Sequence, residues 1–270
     1  MIDWQTAIDS HLCPFVARRR TGLITDVDGT ISPIVPHPDD AQITPRSREL
    51  LAALSGCLTL VGVISGRSAA DISRRVALPG LVYVGNHGLE RWIGGVTQPD
   101  PSAVIYEPQV QAARKQIEPH LRPGMWIEDK ATTLSVHYRQ AEDPDAVARE
   151  FTSQIKQIAA DRGLSFFEGR RIFEIRPPID VNKGTVFRRL VIEYRLEAAI
   201  YIGDDVTDTD AFRAARALRE SGQCYALGVG VESDVTPELV TETSDLSASG
   251  VSGVELLLAW LLSACKASST

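Results

Sequence analysis

Asp26 and Asp28 stand two positions apart in Asp26-Val27-Asp28-Gly29-Thr30, directly after the apolar run Gly22-Leu23-Ile24-Thr25. An extended strand sends alternate side chains to one face, so the two carboxylates can converge on one ligand where the chain turns at Gly29. Two neighbouring anions repel unless a cation sits between them. A hard, all-oxygen site of this kind suits magnesium, which also presents a phosphoryl group to a carboxylate nucleophile. The same residues also read as an acidic strand exit in which aspartate accepts backbone hydrogen bonds. The rest of the chain has to choose between the two.

Four other places carry polar residues suited to one phosphate site. After Leu58 to Ile64 comes Ser65-Gly66-Arg67, and then Ser68-Ala69-Ala70-Asp71 opens a helix. A phosphate can accept from Ser65, from exposed backbone amides and from Arg67, although a capping serine and a surface arginine give the same letters. After Leu81 to Val84 comes Gly85-Asn86-His87-Gly88, where Asn86 and His87 are candidate substrate contacts and a hydrogen-bonded turn is the plainer reading of His87. Asn182-Lys183-Gly184 begins a helix over Thr185 to Tyr194. A lysine at the positive end of a helix dipole calls for an anion, such as a phosphoryl group together with Asp26, or else it is simply solvated.

The fourth place follows Ala199 to Ile202, where Gly203-Asp204-Asp205-Val206-Thr207-Asp208-Thr209-Asp210 sets four carboxylates within seven residues. At the end of an apolar strand that charge is costly unless metal, a helix start or solvent absorbs it. Asp204, nearest the strand end, is the candidate third magnesium ligand. Asp208, one turn further on, is a supplementary ligand or a group that supports the ligands.

The elements that must position these groups are five buried strands: Gly22 to Thr25, Leu58 to Ile64, Leu81 to Val84, Ala199 to Ile202 and Gln223 to Leu227. Each lacks polar alternation and ends in Gly, Asp, Ser or Asn. Helical patterns lie between them, such as Thr44 to Leu54 with its threonine cap and Pro45 in the first turn. The alternation predicts an α/β fold with a parallel sheet, in which the strand C-termini face a common crevice. It fails between about residues 89 and 180. There Pro99 to Pro101 and Pro177-Pro178 bracket strand-like Met125 to Glu128, Thr133 to Tyr138 and Ile172 to Ile175, with helix-like Ser102 to Leu121 and Pro144 to Arg162. The expectation is a core over 1–99 and 180–270 with an inserted α+β domain over 100–179, the alternative being a long edge extension of one sheet.

The bulk numbers narrow the function classes. With 44% apolar and 23% charged residues in 270, the chain is ordinary for a globular protein. A net charge of −7 argues against a general nucleic-acid binder and leaves any phosphate affinity to local Lys, Arg or metal. Cys13, Cys57, Cys224 and Cys265 are scattered and read as reduced thiols. No secretory pattern opens the chain, and the apolar stretch Val254 to Cys265 is short for a bilayer span. The expectation is a soluble cytoplasmic protein without membrane or nucleic-acid partners, a monomer with an oligomer left open. In that stretch Val254, Leu257, Leu258, Leu261, Leu262 and Cys265 recur at helical spacing, as in a helix docked on the core.

With these residues in hand, the chain resembles the haloacid dehalogenase superfamily, whose pattern runs D-x-D-G-T, then S or T, then K, then G-D-D. It resembles one member family more closely, the trehalose-6-phosphate phosphatases. Stretches that carry the likeness are Asp26 to Ile34, Ser65-Gly66-Arg67, Gly85 to Glu90, Glu128-Asp129-Lys130, Ser135 to Arg139, Glu174 to Pro177 and Gly203 to Phe212. Ile31 stands where leucine is common and Thr209 where glutamate is common, and neither removes a required group.

The resemblance implies a Rossmann-like haloacid dehalogenase core with an inserted α+β cap, acting on a small phosphorylated disaccharide. It implies Asp26 as nucleophile, Asp28 as general acid and then base, and magnesium held by Asp26, the backbone carbonyl of Asp28 and Asp204. Ser65 and Lys183 would hold phosphoryl oxygens. In the cap, Glu128, Lys130, His137, Arg139 and Glu174 would meet the sugar hydroxyls, unless they are merely the solvent face of an antiparallel sheet. Phosphatases for sucrose phosphate or a glycosyl-phosphoglycerate, a sugar phosphomutase, and a catalytically dead sugar-phosphate sensor are the alternatives.

Overall fold

This computed structural model describes residues 1–35, 40–169, 171–234 and 236–268. Its strands, in chain order, are β1 (Ile2–Asp3), β2 (Thr21–Thr25), β3 (Leu60–Ile64), β4 (Val82–Gly85), β5 (Glu90–Ile93), β6 (Val96–Pro99), β7 (Trp126–Asp129), β8 (Leu134–His137), β9 (Ser165–Gly169), β10 (Ile172–Arg176), β11 (Ala198–Gly203), β12 (Tyr225–Glu232) and β13 (Leu246–Ser249). The chain divides into two compact units, one made of Met1–Gln98 with Val181–Thr270 and the other of Pro99–Asp180.

The larger sheet runs β1-β13-β12-β11-β2-β3-β4-β5-β6. It is parallel from β1 to β4, and β5 returns antiparallel to β4. Its central strands β2, β3 and β11 are buried along their whole length, which is why their sequences are continuous apolar runs rather than alternating ones. Alternate residues still part company. Leu23, Val63 and Ile200 enter one apolar layer with Leu54, Ile72 and Leu257, while Ile24, Ile64 and Tyr201 enter the opposite layer with Phe187 and Phe212. The sheet is therefore covered on both faces, as in a doubly wound α/β fold. Strand order reverses at β2, with β3 on one side and β11 on the other. That reversal opens the crevice beyond their C-terminal ends.

Local chemistry sets the helices that flank this crevice. Thr44 caps Pro45–Ser55 by accepting from the Ser47 N–H at 3.0 Å, Ser68 caps Ala69–Val76, and Asn182 with Thr185 forms a reciprocal capping box on Lys183–Glu193.

In the second unit the sheet order is β7-β8-β10-β9, all antiparallel. One face supplies Leu134, Val136, Phe173 and Ile175 to an apolar cluster with Val110 and Ile117 of helix Glu107–Ile117 and Phe151 and Ile155 of helix Pro144–Asp161. The unit is thus α+β, with a polar face left on the sheet.

Several elements differ from the sequence-based expectation. The single helix expected over Ser102 to Leu121 is broken into Pro101–Val104, Glu107–Ile117 and the 3₁₀ turn Glu118–His120. Pro108 and Pro119 each lack the N–H that would continue the preceding helix. The hairpin β5–β6 extends the large sheet to Pro99; β6 is exposed throughout, so it carries no apolar signal. Strand β12 runs on past Leu227 through Gly228 and Gly230, whose glycines mask a strand pattern.

The C-terminal helix is longer than its apolar stretch. It covers Gly250–Ser268, so by length and composition alone 250–267 is long and apolar enough to cross a membrane, a test that a core helix also passes. Val254, Leu257, Leu258 and Leu261 of this helix are fully buried in the core layer, the docking that their spacing predicts.

Candidate active site

Asp26 directly follows β2, and its N–H donates to the carbonyl of Ile202 on β11 at 2.9 Å. Its side chain is only 8% exposed. Lys183, the first residue of its helix, places Nζ 3.1 Å from Asp26 Oδ1 and 2.6 Å from Asp208 Oδ1. These two carboxylates supply the anion that a lysine at a helix N-terminus requires. Asp208 binds its surroundings with both oxygens. Oδ1 also accepts from the Tyr201 hydroxyl at 2.6 Å, and Oδ2 accepts from the N–H groups of Asp204 and Asp205 at 3.1 and 3.0 Å. Those four hydrogen bonds fold the loop after β11 back on itself and hold Lys183 toward Asp26.

Asp204 completes the cluster. Asp26, Asp204 and Asp208 each offer an oxygen within 4.8 Å of the other two. Thr30 Oγ1 donates to Asp204 Oδ1 at 3.4 Å. Gly29 turns with φ +79°, and a Cβ on it would meet Asp204 Oδ2 at 2.0 Å. Only glycine lets this carboxylate lie over the turn.

Burial pushes the Asp26 pKa up to about 7; Lys183 opposes the rise, while Asp208 and Asp28 add to it. Burial likewise pushes Asp204 up to about 8, with Asp26 and Asp208 reinforcing it. Burial disfavours the Lys183 cation, yet Asp208 and Asp26 outweigh that and hold its pKa above the ordinary lysine value. One ammonium faces three carboxylates here, so the group carries surplus negative charge that hard oxygen donors share well with a divalent cation. The residues present fit such an ion.

Asp28 turns elsewhere. Arg67 meets it with two parallel bonds, Nε to Oδ2 at 2.7 Å and Nη2 to Oδ1 at 2.8 Å, and reaches Asp71 Oδ2 through Nη1 at 3.1 Å. The guanidinium expected at the substrate is thus held between two aspartates. Ser65 is 2% exposed, and its Oγ accepts from the Arg67 N–H at 3.3 Å.

The loops after β3 and β4 are laced together: the N–H of Asn86 donates to the Arg67 carbonyl at 2.8 Å and that of His87 to the Ser65 carbonyl at 2.9 Å. Asn86 and His87 both adopt positive φ, 51° and 56°, a costly conformation for residues with a Cβ. His87 packs on Gly66 so closely that a Cβ there would lie 2.6 Å from Nε2. Glu90, buried on β5, accepts from the Ala69 N–H at 2.6 Å and secures the start of the next helix.

In the second unit, strand register puts Trp126, Glu128, Ser135, His137 and Glu174 on the polar face of the sheet. Glu128 Oε2 lies 2.9 Å from His137 Nε2 and 3.6 Å from Lys130 Nζ, and Lys130 also reaches Ser135 Oγ at 3.3 Å. Burial works against ionisation of Glu128, but His137 and Lys130 prevail and hold its pKa below the ordinary range. Trp126 stacks on His137 at 4.6 Å, and Glu174 pairs with Arg176. Arg139 lies in the turn after β8 rather than on a strand.

Sequence reasoning missed Thr30, Tyr201, Glu90, Asp71, Trp126 and Arg176. For Trp126 and Arg176 a signal was available, because strict alternation from Glu128 and Glu174 places them on the same face. Tyr201 sits inside a wholly buried strand, where alternation carries no polarity.

Residues 24–245 match the family model described as trehalose-phosphatase. The chain belongs to the trehalose-phosphatase family. Over 203 residues it is 36% identical to the trehalose-phosphate phosphatase of Mycobacterium marinum, covering 72% of this chain and 51% of that protein, so it spans about half the length of that relative. Its fold is similar to the trehalose-6-phosphate phosphatase C-terminal domain of C. albicans, with a TM-score of 0.75 and 22% identity over 93% of this chain and 95% of that one. A haloacid dehalogenase-like hydrolase from Bacteroides thetaiotaomicron superposes with a TM-score of 0.60 at 14% identity, covering 90% of this chain and 100% of that one. This trehalose-phosphatase family member therefore has the haloacid dehalogenase-like fold, a mostly parallel sheet accompanied by a separate antiparallel one.

Proposed function

We propose that the protein is a magnesium-dependent phosphatase that hydrolyses trehalose 6-phosphate to trehalose and inorganic phosphate. The observation that carries this reading is the buried Lys183 ammonium between Asp26 and Asp208, with Asp204 completing an acidic triad at the switch point of the sheet. Asp26 is the nucleophile. Its carboxylate oxygen forms a bond to phosphorus as the bond from phosphorus to the sugar oxygen breaks, leaving an aspartyl phosphate. Asp28 gives its proton to the departing sugar oxygen, then takes one from the water that attacks phosphorus and frees Asp26.

Asp26, Asp204 and the Asp28 carbonyl, supported by Asp208, would hold magnesium, which would supply positive charge to the phosphoryl oxygens. Ser65 and Lys183 hold those oxygens as charge shifts in the transition state, a role that needs donors fixed in advance. The fixed position of Lys183, set by its helix cap and by Asp208, fits that requirement. Asn86 and His87 line the same loops as further substrate contacts.

The unit Pro99–Asp180 is the cap that recognises the sugar. A disaccharide presents many hydroxyls and little apolar surface, and Glu128, Lys130, His137, Arg139 and Glu174 supply charged partners for them. The deciding experiment is phosphate release from trehalose 6-phosphate by the full chain with magnesium, against glucose 6-phosphate, and again after chelation with EDTA. Metal-dependent release from trehalose 6-phosphate in preference to glucose 6-phosphate is expected. Faster turnover of another sugar phosphate, or release that survives chelation, contradicts the reading.

A further inference from the structure

Phe167 is 48% exposed, and among the described residues no other phenylalanine, tyrosine or tryptophan is exposed. Its neighbour Phe166 shows the ordinary arrangement: it points to the opposite face of β9 and packs against Phe173 in the apolar cluster, with ring centres 5.8 Å apart. Strand register puts Phe167 instead on the polar face of the antiparallel sheet, directly opposite Glu174. Glu174 lies opposite Ser135, and Ser135 opposite Glu128. Glu128, Ser135, Glu174 and Phe167 therefore form one row across all four strands, with a carboxylate at one end and an aromatic ring at the other. At about 4.8 Å between neighbouring strands, the row is about 14 Å long. That is too long for one pyranose ring to reach both ends, and comparable to two joined rings.

The ring at the far end is held in place. The Arg176 guanidinium carbon lies 4.9 Å from the Phe167 centroid, so a cation backs one face of the ring. Arg176 is only 13% exposed and is paired with Glu174, which fixes the guanidinium and through it the ring. A pyranose carries hydroxyls around its rim and a face of C–H groups, whose slight positive charge suits the negative face of an aromatic ring. Carboxylates and a guanidinium beside that ring take the hydroxyls. A ring ordered before the sugar arrives loses little freedom on binding.

We propose that Phe167, backed by Arg176, is the platform for the second ring of a disaccharide whose first ring is held by Glu128, Lys130 and His137, so that Phe167 makes this unit select disaccharide over monosaccharide phosphates. This rests on the reading of Pro99–Asp180 as the sugar-recognising cap. It goes beyond that reading by giving the apolar face of the sugar a partner and each ring its own place.

The test uses the full chain with magnesium. Phe167 is a surface residue, so Phe167→Ala is expected to melt as the parent does. It is expected to raise KM for trehalose 6-phosphate roughly 3- to 10-fold, the worth of one aromatic contact, with kcat nearly unchanged. For glucose 6-phosphate and p-nitrophenyl phosphate, which lack a second sugar ring, kcat/KM is expected to stay at the parent value. Phe167→Tyr keeps the platform and is expected to restore KM. Titration with trehalose followed by NMR gives a readout without turnover, and its dissociation constant is expected to rise by the same factor in Phe167→Ala.

An unchanged KM for trehalose 6-phosphate with unchanged trehalose binding overturns the inference, as does an equal loss on all three substrates. A parent that prefers another disaccharide phosphate ends the trehalose assignment, and Phe167→Ala must then raise KM for that substrate. A parent that prefers a monosaccharide phosphate to every disaccharide phosphate overturns the inference itself.

Discussion

Lys183 Nζ sits 2.6 Å from Oδ1 of Asp208, and neither side chain has more than 2% of its surface exposed. Removing one member of such a pair leaves the other charged and dry. Asp208→Ala leaves the Lys183 ammonium with Asp26 alone and strands the Tyr201 hydroxyl and two backbone N–H groups. We expect it to lose about 3–5 kcal/mol of stability in urea denaturation, and a loss below about 1 kcal/mol, the scale of an exposed ion pair, would contradict the buried-hub account.

The raised carboxylates make a prediction about pH in the absence of metal. Asp26 holds its proton to about 7 and Asp204 to about 8 in the folded protein, against 3.8 for an ordinary aspartate. The folded state therefore binds more protons than the unfolded one across that interval. Their contribution is fully present below the ordinary value and is lost as pH rises through 7 and 8. Asp71 has a lowered pKa because its arginine partners overcome the opposing effect of burial; its contribution has the opposite sign and disappears only in acid. The melting temperature of EDTA-treated protein should fall from about pH 5 to about pH 8, and magnesium should raise it more at the upper end. An Asp26→Asn variant should release no phosphate yet melt higher than the parent at the upper end without metal. A flat melting profile would argue against the buried charge.

Gly29 offers a test of the cation site that does not depend on turnover. Its φ of +79° and the 2.0 Å approach of Asp204 Oδ2 leave no room for a methyl group. Gly29→Ala should cost roughly 1–2 kcal/mol of backbone strain and push Asp204 aside. Magnesium binding followed by calorimetry should weaken at least tenfold, the scale seen when the support of a ligand is lost. Undiminished affinity would place the ion elsewhere.

For the second unit the prediction is one of selectivity. Glu128 is bonded to His137 and paired with Lys130 on the polar face of the antiparallel sheet. Glu128→Gln should raise KM for trehalose 6-phosphate roughly 10- to 150-fold, as expected for a lost hydrogen bond to a charged group of about 1.5–3 kcal/mol, while leaving p-nitrophenyl phosphate kinetics near those of the parent. Parallel losses on both substrates would assign Glu128 to something other than the sugar.

The positions of Asp26, Ser65, Asn86 and Asp204 were legible in the chain because buried parallel strands produce continuous apolar runs, and the residue after each run falls at one shared edge. What each side chain touches was not legible. Arg67 reads equally well as a phosphate ligand or a surface residue, and only the folded chain brings Asp28, 39 positions earlier, against it. Asp208 looked like one acid among four; its role as a hub depends on a lysine and a tyrosine from two other elements. Strand β6 escaped notice for a different reason, since a strand exposed on its whole length has no apolar period to betray it.

The backbone bond from Asp26 to Ile202 joins segments separated in sequence by the whole of the Pro99–Asp180 unit. As the ribosome threads the chain from the N-terminus, Asp26, Asp28 and Ser65 emerge early, while Lys183, Asp204 and Asp208 emerge after the inserted unit has been made. A nascent chain halted before residue 198 has no β11 on which to seat β2, so its central strand keeps an open edge. Closing that long-range pairing is an entropically costly, slow step, and it coincides with assembly of the acidic triad. The acidic triad thus cannot assemble until β11 has been made, and the strand most in need of shelter from aggregation is the one that leads into Asp26.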